Sequence, residues 1–133
     1  MTRTEICDFW IGRFDNDNDY FDFIGEDPEF YQDEADVDQK YISKFAKSQG
    51  EHWIDHDFME SGFENGENSF FDRFKKYSYS DQWIGKLSEK VSETDLSDIN
   101  TVIFITKGRI KNPTSISAAN FTLRHIGQIE YNI

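Results

Sequence analysis

The sequence has only two prolines and a single cysteine among its 133 residues, and no apolar run in it reaches membrane length, which takes about 20 residues. Each shortage excludes something. A lone Cys7 cannot close an internal disulfide, which fits a reducing cytoplasm. Its neighbours Ile6, Phe9 and Trp10 suggest a buried, inert thiol rather than a reactive one. The opening MTRTEICDFWIG lacks the long apolar stretch and small-residue cleavage site of a secretory signal. With no low-complexity linker and no internal repeat, residues 1–133 are expected to form one cytoplasmic domain. Positive charge is scarce as well: residues 14 to 39 contain eleven Asp and Glu and no Lys or Arg.

Aromatic mass and negative charge fill the space these absences leave. Aromatics make up 17% of the chain, with thirteen Phe, so core material is plentiful. A chain of this length should bury roughly two-thirds of its unfolded surface. The formal net charge of -12 is unevenly spread. Residues 1–66 carry eighteen acids against five bases, and residues 67–133 eight acids against nine bases. The whole excess therefore belongs to the first half. Such a field bears on partners and association rates rather than on fold. Nucleic acid and anionic membrane are poor partners for it, and a basic protein is a good one.

Periodicity gives the elements. Glu5 to Gly12 reads as a strand that stops at a glycine. Asn18 to Ile24 reads as a helix with Asp17 as N-cap and Tyr20, Phe21 and Ile24 inward, stopped by Gly25 and Pro28. Val37, Tyr41, Ile42, Phe45 and Ala46 form a helical stripe closed by Gly50. HWIDHDFMESGF leans to strand with loop character. Phe70, Phe71, Phe74 and Tyr77 make a second stripe; Trp83, Ile84, Leu87 and Val91, opened by Ser80, make a third. TVIFIT at 101–106 has the signature of a strand covered on both faces. Lys107 to Ser117, with Gly108, Asn112 and Pro113, predicts an exposed basic loop. The tail alternates from Phe121 to Ile133, which places Phe121, Leu123, His125, Gly127, Ile129, Tyr131 and Ile133 on one face. Strands usually run about 5–6 residues, so this length predicts a bulge or bend at Gly127. The resulting order is an α+β fold, a small and mostly antiparallel sheet with helices packed on it.

Three patterns resemble chemistry and fall short of it. In FDNDNDYFDFIGE, Asp15, Asp17, Asp19 and Glu26 stand at the first, third, fifth and twelfth places of a calcium loop. That loop needs glycine at its sixth place, where Tyr20 stands, and Asp22 fills the apolar eighth. His52 and His56 have the spacing of helix-borne metal ligands, but Trp53 takes the place of the general-base Glu. Asp55, Asp57 and His125 have no fixed spacing to complete the set; a hydrolase built on His52, His56 and Asp57 would declare itself by stoichiometric metal. No phosphate loop or nucleophile elbow is present, and carboxylate pairs are too common here to be informative. No catalytic residue, metal or other cofactor is expected.

The acidic segment remains. Asp15, Asp17, Asp19, Asp22, Glu26, Asp27, Glu29, Asp33, Glu34, Asp36 and Asp38 interleave with Phe14, Tyr20, Phe21, Phe23, Phe30 and Tyr31. That is more aromatic side chain than one amphipathic stripe uses, and aromatics beside charges are what interface anchors look like. Each close pair of like charges also costs up to ~1 kcal/mol at ~4 Å in water, less with salt. A domain that tolerates this repulsion has a use for it. The candidate interface is these acids, with Tyr20, Phe23, Phe30 and Tyr31 as anchors.

Five stretches in order resemble the immunity protein 22 family of bacterial polymorphic-toxin and contact-dependent growth inhibition systems. They are FWIGRF at 9–14 with the acidic helix after it, YISKFAKSQG, HWIDHDFMES, FFDRFKKYSYSDQWIGK at 70–86 and NTVIFI at 100–105. The resemblance covers roughly residues 5–106 and leaves the tail from Lys107 unplaced. It implies a small cytoplasmic α+β protein, without catalytic residues, that neutralises a toxin domain delivered by neighbouring cells. Many such toxins are nucleases with basic grooves that an acidic inhibitor can occupy. The expected protein is monomeric when free and takes a basic toxin as partner, not nucleic acid or membrane. The alternative is a nucleic-acid mimic. Residues 15–38 as one helix would approach one charge per ~3.3 Å, near the ~3.4 Å of a DNA strand, although Gly25 and Pro28 oppose a continuous rod.

Overall fold

The run TVIFIT lies inside the sheet, as a stretch apolar on both faces requires. The computed structural model describes residues 3–25, 43–51, 58–64, 69–92 and 96–132. Within it, β3 (Thr101–Thr106) is buried from Thr101 to Ile105. It pairs antiparallel with β1 (Thr4–Phe14) on one side and β2 (Met59–Phe63) on the other. β5 (Phe121–Asn132) pairs along the whole of β1 and carries β4 (Ile116–Ala118) at its outer edge. The sheet is antiparallel throughout, in the order β2-β3-β1-β5-β4. β1 runs past Gly12, the expected stop. Gly12 is instead a point of close approach, where a Cβ would lie 1.9 Å from the Thr122 carbonyl oxygen.

Helices cover both faces: α1 (Asp17–Ile24) and α2 (Lys44–Ser48) on one, α3 (Phe70–Phe74) and α4 (Ser80–Lys90) on the other. Alternation along β1 divides its side chains between two cores. Phe9 and Ile11 join Val102 and Phe104 against Phe74, Trp83 and Leu87. Trp10 and Phe14 join Ile103 and Ile105 against Tyr20, Phe23 and Phe45. The Phe9 and Phe104 rings stack at 4.7 Å across the strand pair. The α+β expectation holds, with helices packed on both faces of the sheet.

The tail shows where alternation misleads. Phe9 pairs with Gly127 but Trp10 pairs with His125, so β5 carries one extra residue, Ile126, at this step. Gly127 adopts φ +106°, and the bulge expected there is present. Its consequence is that Leu123 packs in the α1 core while Ile129 and Tyr131 pack in the α4 core. The single shared face predicted for Leu123, Ile129 and Tyr131 is therefore corrected, because a one-residue insertion inverts a period of two.

Other boundaries shift for local reasons. The cap of α1 is Asn16, not Asp17; its side chain accepts from the Asp19 N–H at 2.8 Å. Ser43 has extended backbone and caps α2 through the Ala46 N–H at 3.1 Å, so no helix runs continuously through 43. Residues 37–42, where that stripe was expected to begin, lie outside the described residues. Ser80 is the first residue of α4 rather than its cap. The basic loop exposes Lys107, Arg109 and Lys111 as expected but buries Ile110 and ends in the unexpected β4. Arg73 joins α3 to the turn before β3, donating to the carbonyls of Leu96, Ser97 and Ile99.

Candidate partner-binding surface

The acidic helix is aimed by the strand before it. Phe14 closes β1 with its ring between Tyr20 (5.7 Å), Phe23 (5.7 Å) and Phe121 (4.7 Å). Asp15 N–H donates to the Asn120 carbonyl at 3.0 Å, and Asn16 then caps α1. Asp17 and Asp19 lie in the first turn, where exposed backbone N–H groups favour negative charge. Gly25 ends the helix with its N–H on the Phe21 carbonyl at 2.9 Å.

The inward face of α1 is Tyr20, Phe23 and Ile24, with Tyr20 4% and Phe23 6% exposed. Tyr20 hydroxyl shares a hydrogen bond with Ser61 Oγ at 2.8 Å, and burial raises its pKa. Phe23 packs on Phe121 at 4.5 Å. Two of the expected anchors, Tyr20 and Phe23, are thus committed to the core. Phe21, expected inside, is 63% exposed. The sequence could not choose between these faces: at 100° per residue, Tyr20-Phe21-Ile24 and Tyr20-Phe23-Ile24 span arcs of equal width. The ring cluster of Phe14, Phe45 and Phe121 decides for Phe23.

Outward, α1 and its approach present Asp15, Asp17, Asp22 and Phe21 to solvent, with Asp19 half-buried. Asp22 meets Lys44 in an ion pair whose side chains are both more than half exposed; such a pair contributes at most ~1 kcal/mol. Glu26, Asp27, Glu29, Phe30, Tyr31, Asp33, Glu34, Asp36 and Asp38 lie outside the described residues.

The other candidates resolve differently. Residues 17–24 are helical, so Asp15, Asp17 and Asp19 do not wrap a common point as calcium-loop ligands must. His52, His56 and Asp57 lie outside the described residues. His125 Nε2 lies 3.0 Å from Oδ1 of the buried Asp8, a pair the sequence did not suggest, beneath the Trp10 ring at 4.9 Å. Among the described residues, no three His, Cys, Asp or Glu side chains gather to hold a metal. Among the described residues, the surface of α1 offers charge and one bare aromatic ring, Phe21.

A family model described as Immunity protein 22 matches residues 7–132. The chain belongs to the immunity protein 22 family. The match carries the family past Thr106, so the tail left unplaced by the sequence motifs is part of the family fold, and in the structure β5 is the partner of β1 over its full length. Family membership gives the chain a toxin-neutralising role and a toxin protein as partner. Comparison with curated proteins and with solved structures found no match. No helix among the described residues is long and apolar enough to cross a membrane.

Proposed function

We propose that this immunity protein acts as a monomer in the bacterial cytoplasm, binding a cognate polymorphic-toxin domain and blocking it sterically and electrostatically without catalysis of its own. The toxin's contact surface is basic, as the substrate groove of a nuclease is. The observation that carries this reading is the outer surface of α1, where Asp15, Asp17, Asp22 and Phe21 are exposed together in a half-chain with eighteen acids and five bases. Complementary fields raise association rates by about 10 to 10³ and reject like-charged partners. An exposed aromatic among them adds the apolar contact that holds a complex once formed. The acids from Glu26 to Asp38, with Phe30 and Tyr31, extend this surface in the proposal. A continuous helical charge rod, the basis of the nucleic-acid-mimic alternative, is interrupted at Gly25, whose backbone is extended.

Co-expression tests the reading. A toxin domain encoded beside this chain should arrest growth when expressed alone and be silenced by this protein through a stable complex. Silencing of unrelated DNA-binding proteins to the same degree would favour the mimic instead.

A further inference from the structure

On the sheet face that carries α4, across the sheet from α1, lies a cavity of about 300 Å³ bordered by Glu5, Phe58, Glu60, Tyr79 and Tyr131. Its rim is aromatic and open: Phe58 and Tyr79 are both exposed, and Tyr79 stacks on Tyr131 at 5.3 Å. Tyr79 holds its ring there from a left-handed backbone, φ +57° and ψ +25°, a conformation bulky residues rarely adopt. It makes no side-chain cap bond to α4 that would account for the choice of residue.

Two carboxylates complete the border, each fixed by its own donors. Glu60 accepts from the Ser78 N–H at 3.2 Å and the Ser78 hydroxyl at 3.1 Å. Glu5 accepts from the Thr106 hydroxyl at 2.8 Å. An ionised carboxylate has about four acceptor positions, so both retain capacity. Neither has an ion-pair partner among the described residues. The nearby Arg109 sits on the Phe58 ring, its guanidinium carbon 3.7 Å from the centroid. Burial pushes the neighbouring Cys7 thiol up to about 11, with the Glu5 charge adding a smaller part.

We propose that this pocket receives an arginine side chain presented by a partner protein. Guanidinium is planar and weakly hydrated; it stacks on aromatic faces while its N–H fork meets carboxylates. Rigid rings and hydrogen-bonded carboxylates already in place reduce the ordering cost of such a contact. An excess of negative charge over the whole chain draws cationic surfaces toward it. Because α1 lies on the opposite face, this contact is separate from the acidic helix and does not depend on its role.

The test titrates the full chain with N-acetyl-arginine amide and with its neutral isostere N-acetyl-citrulline amide, reading backbone amide shifts by NMR. Arginine should give saturable shifts centred on Glu5, Glu60, Tyr79 and Tyr131, with citrulline roughly tenfold weaker or more, as loss of a paired charge implies. The double variant Glu5→Gln/Glu60→Gln should weaken the arginine response similarly. Tyr79→Asn, which tolerates the left-handed backbone, should keep Tm and still lose the response. Equal shifts from both probes, shifts scattered over other surface acids, or a response unchanged in both variants would each overturn the proposal. Loss of toxin association in an α1 variant, with the arginine response intact, would leave this inference standing. A toxin bound normally by a protein whose pocket ignores arginine would sink it alone.

Discussion

Phe14 and Asn100 exchange two hydrogen bonds, the Phe14 N–H donating to Asn100 Oδ1 at 3.0 Å and Asn100 Nδ2 donating to the Phe14 carbonyl at 2.9 Å. The side-chain amide thereby serves as one more rung of the ladder between β1 and β3, where β1 leaves the sheet for α1. Asn100 is 1% exposed and also accepts from the Thr101 hydroxyl at 3.0 Å. Asn100→Ala leaves both backbone groups of Phe14 buried and unpaired, at about 1–3 kcal/mol each. Urea denaturation should show a loss of about 3 kcal/mol at constant m-value. A change under ~0.5 kcal/mol would mean that α1 is aimed by its ring cluster alone.

The glycines of β1 and β5 should fail differently. At Gly127 nothing lies within 4 Å of an added Cβ, so Gly127→Ala meets only the left-handed backbone at φ +106°, at about 1–2 kcal/mol. At Gly12 the added Cβ meets Thr122 backbone, and the strands must part. Gly12→Ala should therefore be the more damaging of the two in thermal melts.

Calcium should not bind the acidic helix as a loop. Calorimetry should detect only weak, non-stoichiometric heats, because residues 17–24 are already helical. A single micromolar site abolished by Glu26→Gln would contradict the helix reading.

Alkaline pH should destabilise the fold before it damages the chain. Cys7 rises from 9.0 to about 11 in the folded protein, first through burial. Tyr20, Tyr77 and Tyr131 are also raised, again first by burial. Above pH 9.0 the unfolded thiol loses its proton while the folded one keeps it, so the folded state binds more protons and stability falls as pH rises. The urea midpoint should hold below pH 9.0 and decline from there toward about 11. Thiol reagents should meanwhile label folded Cys7 far more slowly than the denatured chain.

Much of this fold could be read in advance, and the exceptions have physical causes. TVIFIT was legible because burial on both faces leaves no polar alternation to confuse. The bulge at Gly127 was legible from strand length, but not the exchange of Leu123 and Ile129 between cores, since alternation assumes an uninterrupted period. β4 escaped notice because a three-residue edge strand, Ile116–Ala118, carries no pattern. Phe21 and Phe23 were exchanged because helical geometry allows either face, and the selection comes from rings outside the helix, Phe14, Phe45 and the sequence-distant Phe121. For the same reason the acids were legible as a surface, and Tyr20 as inward, while Phe23, expected as an anchor, is core. The pocket beneath Tyr79 joins Glu5, Glu60 and Tyr131 from three strands, and no local spacing foretells it.

The measurement that bears most directly on the central claim is stopped-flow association with the cognate toxin domain across an ionic-strength series. It compares the wild type with a variant carrying Asp15→Asn, Asp17→Asn, Asp19→Asn and Asp22→Asn. The variant should fold with stability within about 1 kcal/mol, because relief of repulsion offsets the lost charge–dipole contacts of the first turn. Its association should be slower by about tenfold or more at low salt, and the two rates should converge as salt rises. Dissociation should change less, unless one of these carboxylates is buried against a toxin Lys or Arg. A wild-type rate that is flat with salt and equal to the variant's would contradict the account, making the acidic face of α1 a solvated surface and placing the toxin interface elsewhere on the chain.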